Sequence, residues 1–297
     1  MLDLLRRHGV RPGRRLGQHF LGDRRLLERI VAALDAPAGA AVLEVGPGLG
    51  TLTRALLDRG ARVMAVEIDR ALRAPLLEVL GPYPVGAAPA IGPAGLAADV
   101  LGPRLTLLWA DAVRLPWGAL AGLEAGPWRL CSNLPYYVTG PFLASFLLGP
   151  LPWSDAVLLV QAEAAQRMGA LPGTKAYGAF SCLVQYHAGV EVLFRVPRGA
   201  FVPPPDVDSV VVRLRPRARP PVATVRDHWL RVVRAAFGQR RKTLRNALAA
   251  GLGLEATGIE LALQSAGIDG ARRAETLSLE DFGRVADALA QAGRVEP

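Results

Sequence analysis

The sequence predicts a doubly wound α/β sheet followed by a small helical domain. Short apolar runs, "AAVLEV", "ARVMAVEID", "RLTLLWADA", "WRLCSNLPYY" and "DAVLLVQAE", alternate with stretches of helical periodicity, as parallel strands joined by crossover helices require. A turn containing Gly46, Gly48 and Gly50 joins the first run to a helix. Beyond "RPRARPP" (Arg215 to Pro221) the apolar spacing is helical only, in "HWLRVVRAAF" and "LEDFGRVADALAQAG". The expected division is residues 1–215 for the sheet domain, with a basic N-terminal segment, and 222–297 for the helical one.

Taken in order, Leu26, Leu27, Ile30, Val31 and Leu34 predict a helix from Asp23 to Leu34, ahead of the first strand. Ala40 to Gly60 reads as a buried strand, the glycine turn, and a helix that Gly60 ends. The second strand finishes in the acidic residues of "VEID". Between Gly81 and Pro103 the chain is rich in Gly, Pro and Ala without periodicity, which predicts an extended surface loop or insertion. "FRVPRGAFVPPPDVDSVVVRLRP" predicts a proline-rich turn feeding a strand, part of a hairpin on the sheet edge. No internal repeat is present.

At 297 residues the chain can bury a good core in a large domain and still carry a small one. Its hydrophobic fraction of 51% comes from Ala, Leu and Val dispersed among Arg and Pro, which is a soluble pattern. The charge-free run Leu130 to Ser154 is broken by Pro135, Pro141, Pro150 and Pro152, so no membrane-spanning helix of about 20 residues is expected there. Arg6, Arg7, Arg11, Arg14 and Arg15 precede no apolar signal core, so the cytoplasm is the expected location. Cys131 and Cys182 lie among apolar residues, as reduced core thiols do. His8, His19, His187 and His228 lack ligand spacing, so no metal is expected. No long heptad seam demands an oligomer, and a monomer is expected. A formal net charge of +9 points to a polyanionic partner, of which nucleic acid is the commonest. Genome composition or heat adaptation is the competing source of so much arginine.

The backbone amides of the glycine turn and the helix N-terminus allow close approach of a ligand. Thr51 stands where a dinucleotide fingerprint needs its last glycine, which disfavours NAD. Roughly 20 residues on, Glu67 ends the second strand, where a carboxylate can accept from both ribose hydroxyls. Asp111 and Asn133 end two further strands, so candidates line up along the carboxyl edge of the sheet. Asp111 suits an adenine amino group, and Ile68 an apolar cover for the ring. Singly, the glycines fit a tight turn, Asp111 a helix cap and Glu67 a surface carboxylate. No Lys or Arg follows the glycines to hold a pyrophosphate; a nucleoside-type cofactor is expected, and S-adenosyl-L-methionine fits.

"NLPYY", residues 133–137, suits methylation of an aromatic amine. The N6 amine of adenine is a poor nucleophile because its lone pair is delocalised into the ring. Two acceptors on its protons would localise that pair and aim it at a sulfonium methyl. Asn133 offers a carboxamide oxygen, and Pro135 interrupts the helix so that a nearby backbone carbonyl can be the second acceptor. Tyr136 can stack on the base, a contact worth roughly 1–3 kcal/mol. Tyr137 is assigned to packing. In isolation, a strand-ending turn with Asn as cap and tyrosine in the core explains the same residues.

In this order, "LGQHFL", "VLEVGPGLGTLT", "VEID", "NLPYYVTGP", "KAYG", "FVPPPDVDSVVVRL" and "FGQRRKTLRNAL" resemble the ribosomal RNA adenine dimethylase family over nearly the whole chain. The resemblance implies a Rossmann-like, S-adenosyl-L-methionine-dependent methyltransferase domain followed by a small RNA-binding helical domain. The implied activity is N6,N6-dimethylation of two adjacent adenosines in a hairpin near the 3′ end of small-subunit (16S) rRNA, during ribosome biogenesis. The implied partner is the assembling small subunit. By the same resemblance His19 and Leu21 close over the cofactor, Gly46, Glu67, Asp111 and Asn133 line it, and Phe201 faces the target base opposite Tyr136. Family members often carry Asn where this chain has His19. Without the resemblance, Phe201 reads as a core aromatic before a proline turn. Arg234, Arg240, Arg241, Lys242 and Arg245 fit a solvated helix face, and the resemblance turns them towards RNA phosphates. Two alternatives stand beside this one: a large-subunit rRNA methylase of the antibiotic-resistance type, against which "QRRKTLRN" speaks, and a noncatalytic assembly factor on the same fold.

Overall fold

The computed structural model describes residues 1–10, 18–81, 89–91, 95–124, 126–239 and 241–293. The chain divides into two compact units, Met1–Ala165 with Val190–Pro216, and Gln166–Gly189 with Arg217–Pro297. It begins with α1 (Leu2–Arg7), β1 (Phe20–Leu21), α2 (Arg24–Leu34), β2 (Ala41–Val45), α3 (Thr51–Asp58), β3 (Arg62–Glu67) and α4 (Arg73–Leu80). There follow β4 (Pro89–Ile91), β5 (Ala97–Val100), β6 (Leu105–Trp109), β7 (Trp128–Asn133), α5 (Thr139–Leu148) and β8 (Trp153–Gln161). After α6 (Ala162–Met168) and α7 (Ala179–His187) come β9 (Ala188–Val196), β10 (Phe201–Val202) and β11 (Ser209–Pro216). The remainder is helical: α8 (Arg226–Gly238), α9 (Leu244–Leu252), α10 (Ala256–Ser265) and α11 (Leu279–Gln291).

One sheet runs in the order β4-β5-β6-β3-β2-β7-β8-β11-β9. Its centre, β6-β3-β2-β7-β8, is parallel. Every residue of β2 and all but the first of β3 are buried, as strands covered on both faces must be. Successive strands leave β2 in one direction through β3 and β6 and in the other through β7 and β8. The order therefore reverses between β2 and β7, which is where an open α/β sheet leaves a crevice at its carboxyl edge. Helix α2 starts at the predicted Asp23, whose carboxylate caps the amides of Arg25 and Leu26 at 2.9 and 3.2 Å. Its Ile30 and Leu34 meet Leu56 and Leu57 of α3 in a core shared with Val42, Val63 and Val157.

Two parts of the chain differ from the sequence expectations. The segment from Gly81 to Pro103 is not simply a loop: β4 and β5 add antiparallel to β6 and extend the sheet. Buried Asp99 on β5 fixes them, receiving Arg73 at 2.8 and 2.6 Å and the Trp109 indole N–H at 2.8 Å. The rest of that expectation falls partly on residues 82–88 and 92–94, outside the described residues. The expected hairpin on the sheet edge is present: β9 is the outer strand, and β11, its valines buried, pairs between it and β8. Residues 166–189, read with the sheet domain, group with the helical unit. Backbone bonds from Gly173 N to Glu275 O (2.7 Å) and from Arg217 N to His187 O (2.9 Å) tie them there.

Within that second unit Trp229 and Phe282 are fully buried, and the Trp229 indole donates to the Leu279 carbonyl at 3.1 Å. Helices α8 and α9 touch backbone to backbone: a Cβ on Gly251 would lie 2.7 Å from the Cα of Ala235. Ser278 and Asp281 form a reciprocal capping box at the start of α11, each bond 3.1 Å. Among the described residues no helix is long and apolar enough to cross a membrane, and no group of three His, Cys, Asp or Glu side chains could hold a metal ion.

Candidate active site

The carboxyl ends of β2, β3, β6 and β7 open into a cavity of about 310 Å³ in the first unit. Its wall includes His19, Leu21, Gly46, Gly48, Glu67, Ile68, Asp111, Asn133, Pro135 and Tyr136, all expected there. At the switch point the amide of Val45, ending β2, donates to the buried Ser132 hydroxyl of β7 at 2.9 Å. Protein neighbours account for the composition of the glycine turn. Gly46 and Gly48 both have positive φ, and a Cβ would come 3.3 Å from the Pro135 ring at the first and 3.0 Å from the Phe20 ring at the second. Phe20 is itself held by Leu5 of α1 with Leu49 and Leu72. Gly50 caps α3 beside Leu80 and stands off the cavity wall. Thr51, the residue that breaks the dinucleotide pattern, donates its hydroxyl to the Leu21 carbonyl at 3.0 Å and so ties β1 to α3.

Glu67 is buried, and its two oxygens accept from the amides of Asp69 at 2.8 Å and Gly48 at 3.2 Å. Burial pushes its carboxyl up to about 7, against the pull of those amides. The Ile68 amide also bonds to this carboxyl, and its oxygens keep capacity for a further hydrogen bond. Beside it stands Glu44, absent from the sequence expectations: 1% exposed, on the cavity wall, with Oε2 unpaired among the described residues. Burial pushes Glu44 up to about 8, the Thr53 hydroxyl opposing and Glu67 adding to the rise. Its signal in the sequence was a lone carboxylate inside the otherwise apolar strand "AVLEV". Asp111 accepts from the Val113 amide at 2.9 Å, so it caps its own turn while lining the cavity.

Asn133 Nδ2 donates to the His19 carbonyl at 3.1 Å. A carbonyl only accepts, so the amide nitrogen must face His19, which turns Oδ1 out as the acceptor. His19 Nδ1 in turn donates to the Pro203 carbonyl at 2.9 Å. The imidazole stacks on Tyr136, centroids 5.5 Å apart and planes 29° from parallel, and the Tyr136 hydroxyl bonds to Ser209 Oγ at 2.9 Å. Two aromatic expectations change. Phe201, expected to face Tyr136, is 2% exposed in the core, because the short β1–β10 pairing sets it opposite Leu21 in the same buried cluster. Tyr137, assigned to packing, is half exposed and lines the cavity. The Pro135 carbonyl is taken by the Val138 amide at 3.0 Å and the Thr139 hydroxyl at 3.2 Å, so Pro135 contributes its ring and its turn.

The expected RNA contacts lie in the second unit. Arg234 on α8, Arg241 and Lys242 in the following turn, and Arg245 on α9 are exposed, with Arg245 3.8 Å from Glu260. Arg240 lies outside the described residues.

A family model described as "Ribosomal RNA adenine dimethylase" matches residues 11–86 and 97–291. A "Ribosomal RNA small subunit methyltransferase A" of Pelotomaculum thermopropionicum is 47% identical over 294 residues, 98% of this chain and 96% of its own. The crystal structure of the 23S rRNA methyltransferase ErmE superposes with a TM-score of 0.60 at 26% identity, covering 92% of this chain and 100% of that one. A dimethyladenosine transferase from Plasmodium falciparum superposes at 0.68 with 23% identity, covering 93% and 98%, and bears on the fold alone. The break in the family match contains β4 and ends where β5 begins. With its ordered motifs, its sheet and a match over nearly its full length, the chain belongs to the ribosomal RNA adenine dimethylase family.

Proposed function

We propose that the protein is an S-adenosyl-L-methionine-dependent methyltransferase that converts two adjacent adenosines near the 3′ end of small-subunit rRNA to N6,N6-dimethyladenosine. It acts as a cytoplasmic monomer on the assembling small subunit. The observation that carries this is Asn133, its amide nitrogen fastened to His19 and its oxygen left to accept. The cavity suits the cofactor's chemistry: Glu67 can accept from a ribose, and Ile68 is apolar. When bound, that cofactor supplies an electrophilic methyl group on a sulfonium.

The chain's own contribution is orientation. Asn133 Oδ1 accepts a hydrogen bond from one N–H of the adenine amine. With the Pro135 carbonyl already engaged, the Leu134 carbonyl is the backbone acceptor for the other. Tyr136, held by Ser209 and flanked by His19, supplies a fixed aromatic face for the base. In the second unit Arg234, Arg241, Lys242 and Arg245 contact phosphates, which set affinity without reading sequence.

Purified protein given labelled S-adenosyl-L-methionine and unmethylated small subunits is expected to label two adjacent adenosines. An Asn133→Ala variant should retain RNA binding and lose methylation by roughly 100-fold or more, the scale of losing one aimed polar group. Absence of label in adenosine overturns the proposal, and label confined to large-subunit RNA would favour the antibiotic-resistance type of enzyme instead.

A further inference from the structure

Two consecutive tyrosines leave β7 and separate. Tyr136 turns to Ser209 and His19. Tyr137 turns the other way: the charges that oppose ionisation of its phenol, after burial itself, are Glu67, Asp111 and Asp69. These carboxylates mark the end of the cavity formed by β3 and β6, away from the Asn133–His19 contact. Among the described residues the Tyr137 hydroxyl has no hydrogen-bond partner.

Ile68 follows Glu67 directly and stands at that same end. Ile68 and Tyr137 are 51% and 50% exposed, yet both line the cavity. Large apolar side chains held open on a concave wall are surface that a ligand covers. The ring nitrogens of adenine need donors. A neutral phenol beside Glu67 and Asp111 supplies one, and its ring supplies a flat face.

We infer that Tyr137 is a cofactor-binding residue, closing with Ile68 on the nucleoside of S-adenosyl-L-methionine and donating its hydroxyl there. This rests on the function proposed above. It also divides "NLPYY" between two ligands, with Tyr136 serving the target base and Tyr137 the cofactor.

Titration calorimetry of the full chain with S-adenosyl-L-methionine, beside binding of an rRNA hairpin and thermal unfolding, tests it. Tyr137→Ala is expected to weaken cofactor binding roughly tenfold, in the range of losing one aromatic stack, with hairpin affinity and unfolding midpoint unchanged. Tyr137→Phe should recover most of the loss, since it keeps the ring. Wild-type cofactor affinity in Tyr137→Ala overturns the inference. So does a loss confined to the hairpin, which would move Tyr137 to the RNA side. A wild-type chain that binds no S-adenosyl-L-methionine overturns the proposed function itself, and this inference with it.

Discussion

At Glu44 and Glu67 the sheet keeps two carboxyls whose ordinary value of 4.5 burial raises to about 8 and about 7. The folded chain therefore binds protons that the unfolded chain has released. The stability these groups hold is complete below about pH 4.5 and is lost as pH rises through 7 and then 8. Glu44→Gln, which mimics the protonated acid in shape, should flatten the fall of the unfolding midpoint between about pH 5 and 8. A midpoint that falls as steeply as in the wild type would remove Glu44 as its source. Single residues were legible in the sequence where a polar side chain ended an apolar run, as at Glu67, Asp111 and Asn133. Glu44 was not, because it lies within the run, where a carboxylate looks like an interruption. The orientations of Phe201 and Tyr137 were not legible either. The first depends on the register of β10 against β1, the second on how the chain turns into α5.

Among the elements, the parallel strands and their turns followed from the alternation of apolar runs with glycine. The β4–β5 addition did not, since its Gly, Pro and Ala carry no period and its strands exist through pairing with β6 and the Arg73–Asp99–Trp109 contacts. Gly251 shows the same limit in a helix, where composition alone recommends alanine by about 1 kcal/mol. Its neighbour Ala235 leaves no room for a methyl group, however, and overpacking of this kind costs roughly 1–3 kcal/mol. Gly251→Ala should accordingly lower the thermal midpoint of the full chain. A raised midpoint would mean that α8 and α9 separate without penalty.

For the whole molecule, the net charge of +9 pointed to a polyanion, and Arg241 and Lys242 are exposed in the second unit. Replacing both with serine should weaken binding to the rRNA hairpin and reduce the slope of log affinity against log salt by roughly 1–2, with cofactor affinity unchanged. An unchanged slope would place the phosphate contacts elsewhere. The division of the chain was only partly legible: the break at Pro216 follows the proline-rich stretch, but the grouping of Gln166–Gly189 with the helices rests on pairings remote in sequence. The same remoteness governs the order in which the cavity can be built. His19, which holds Asn133, is anchored to Pro203, 184 positions later. A nascent chain emerging from the ribosome therefore carries its glycine turn and its "NLPYY" long before the anchor arrives, and its cavity wall is set only when synthesis has passed β10.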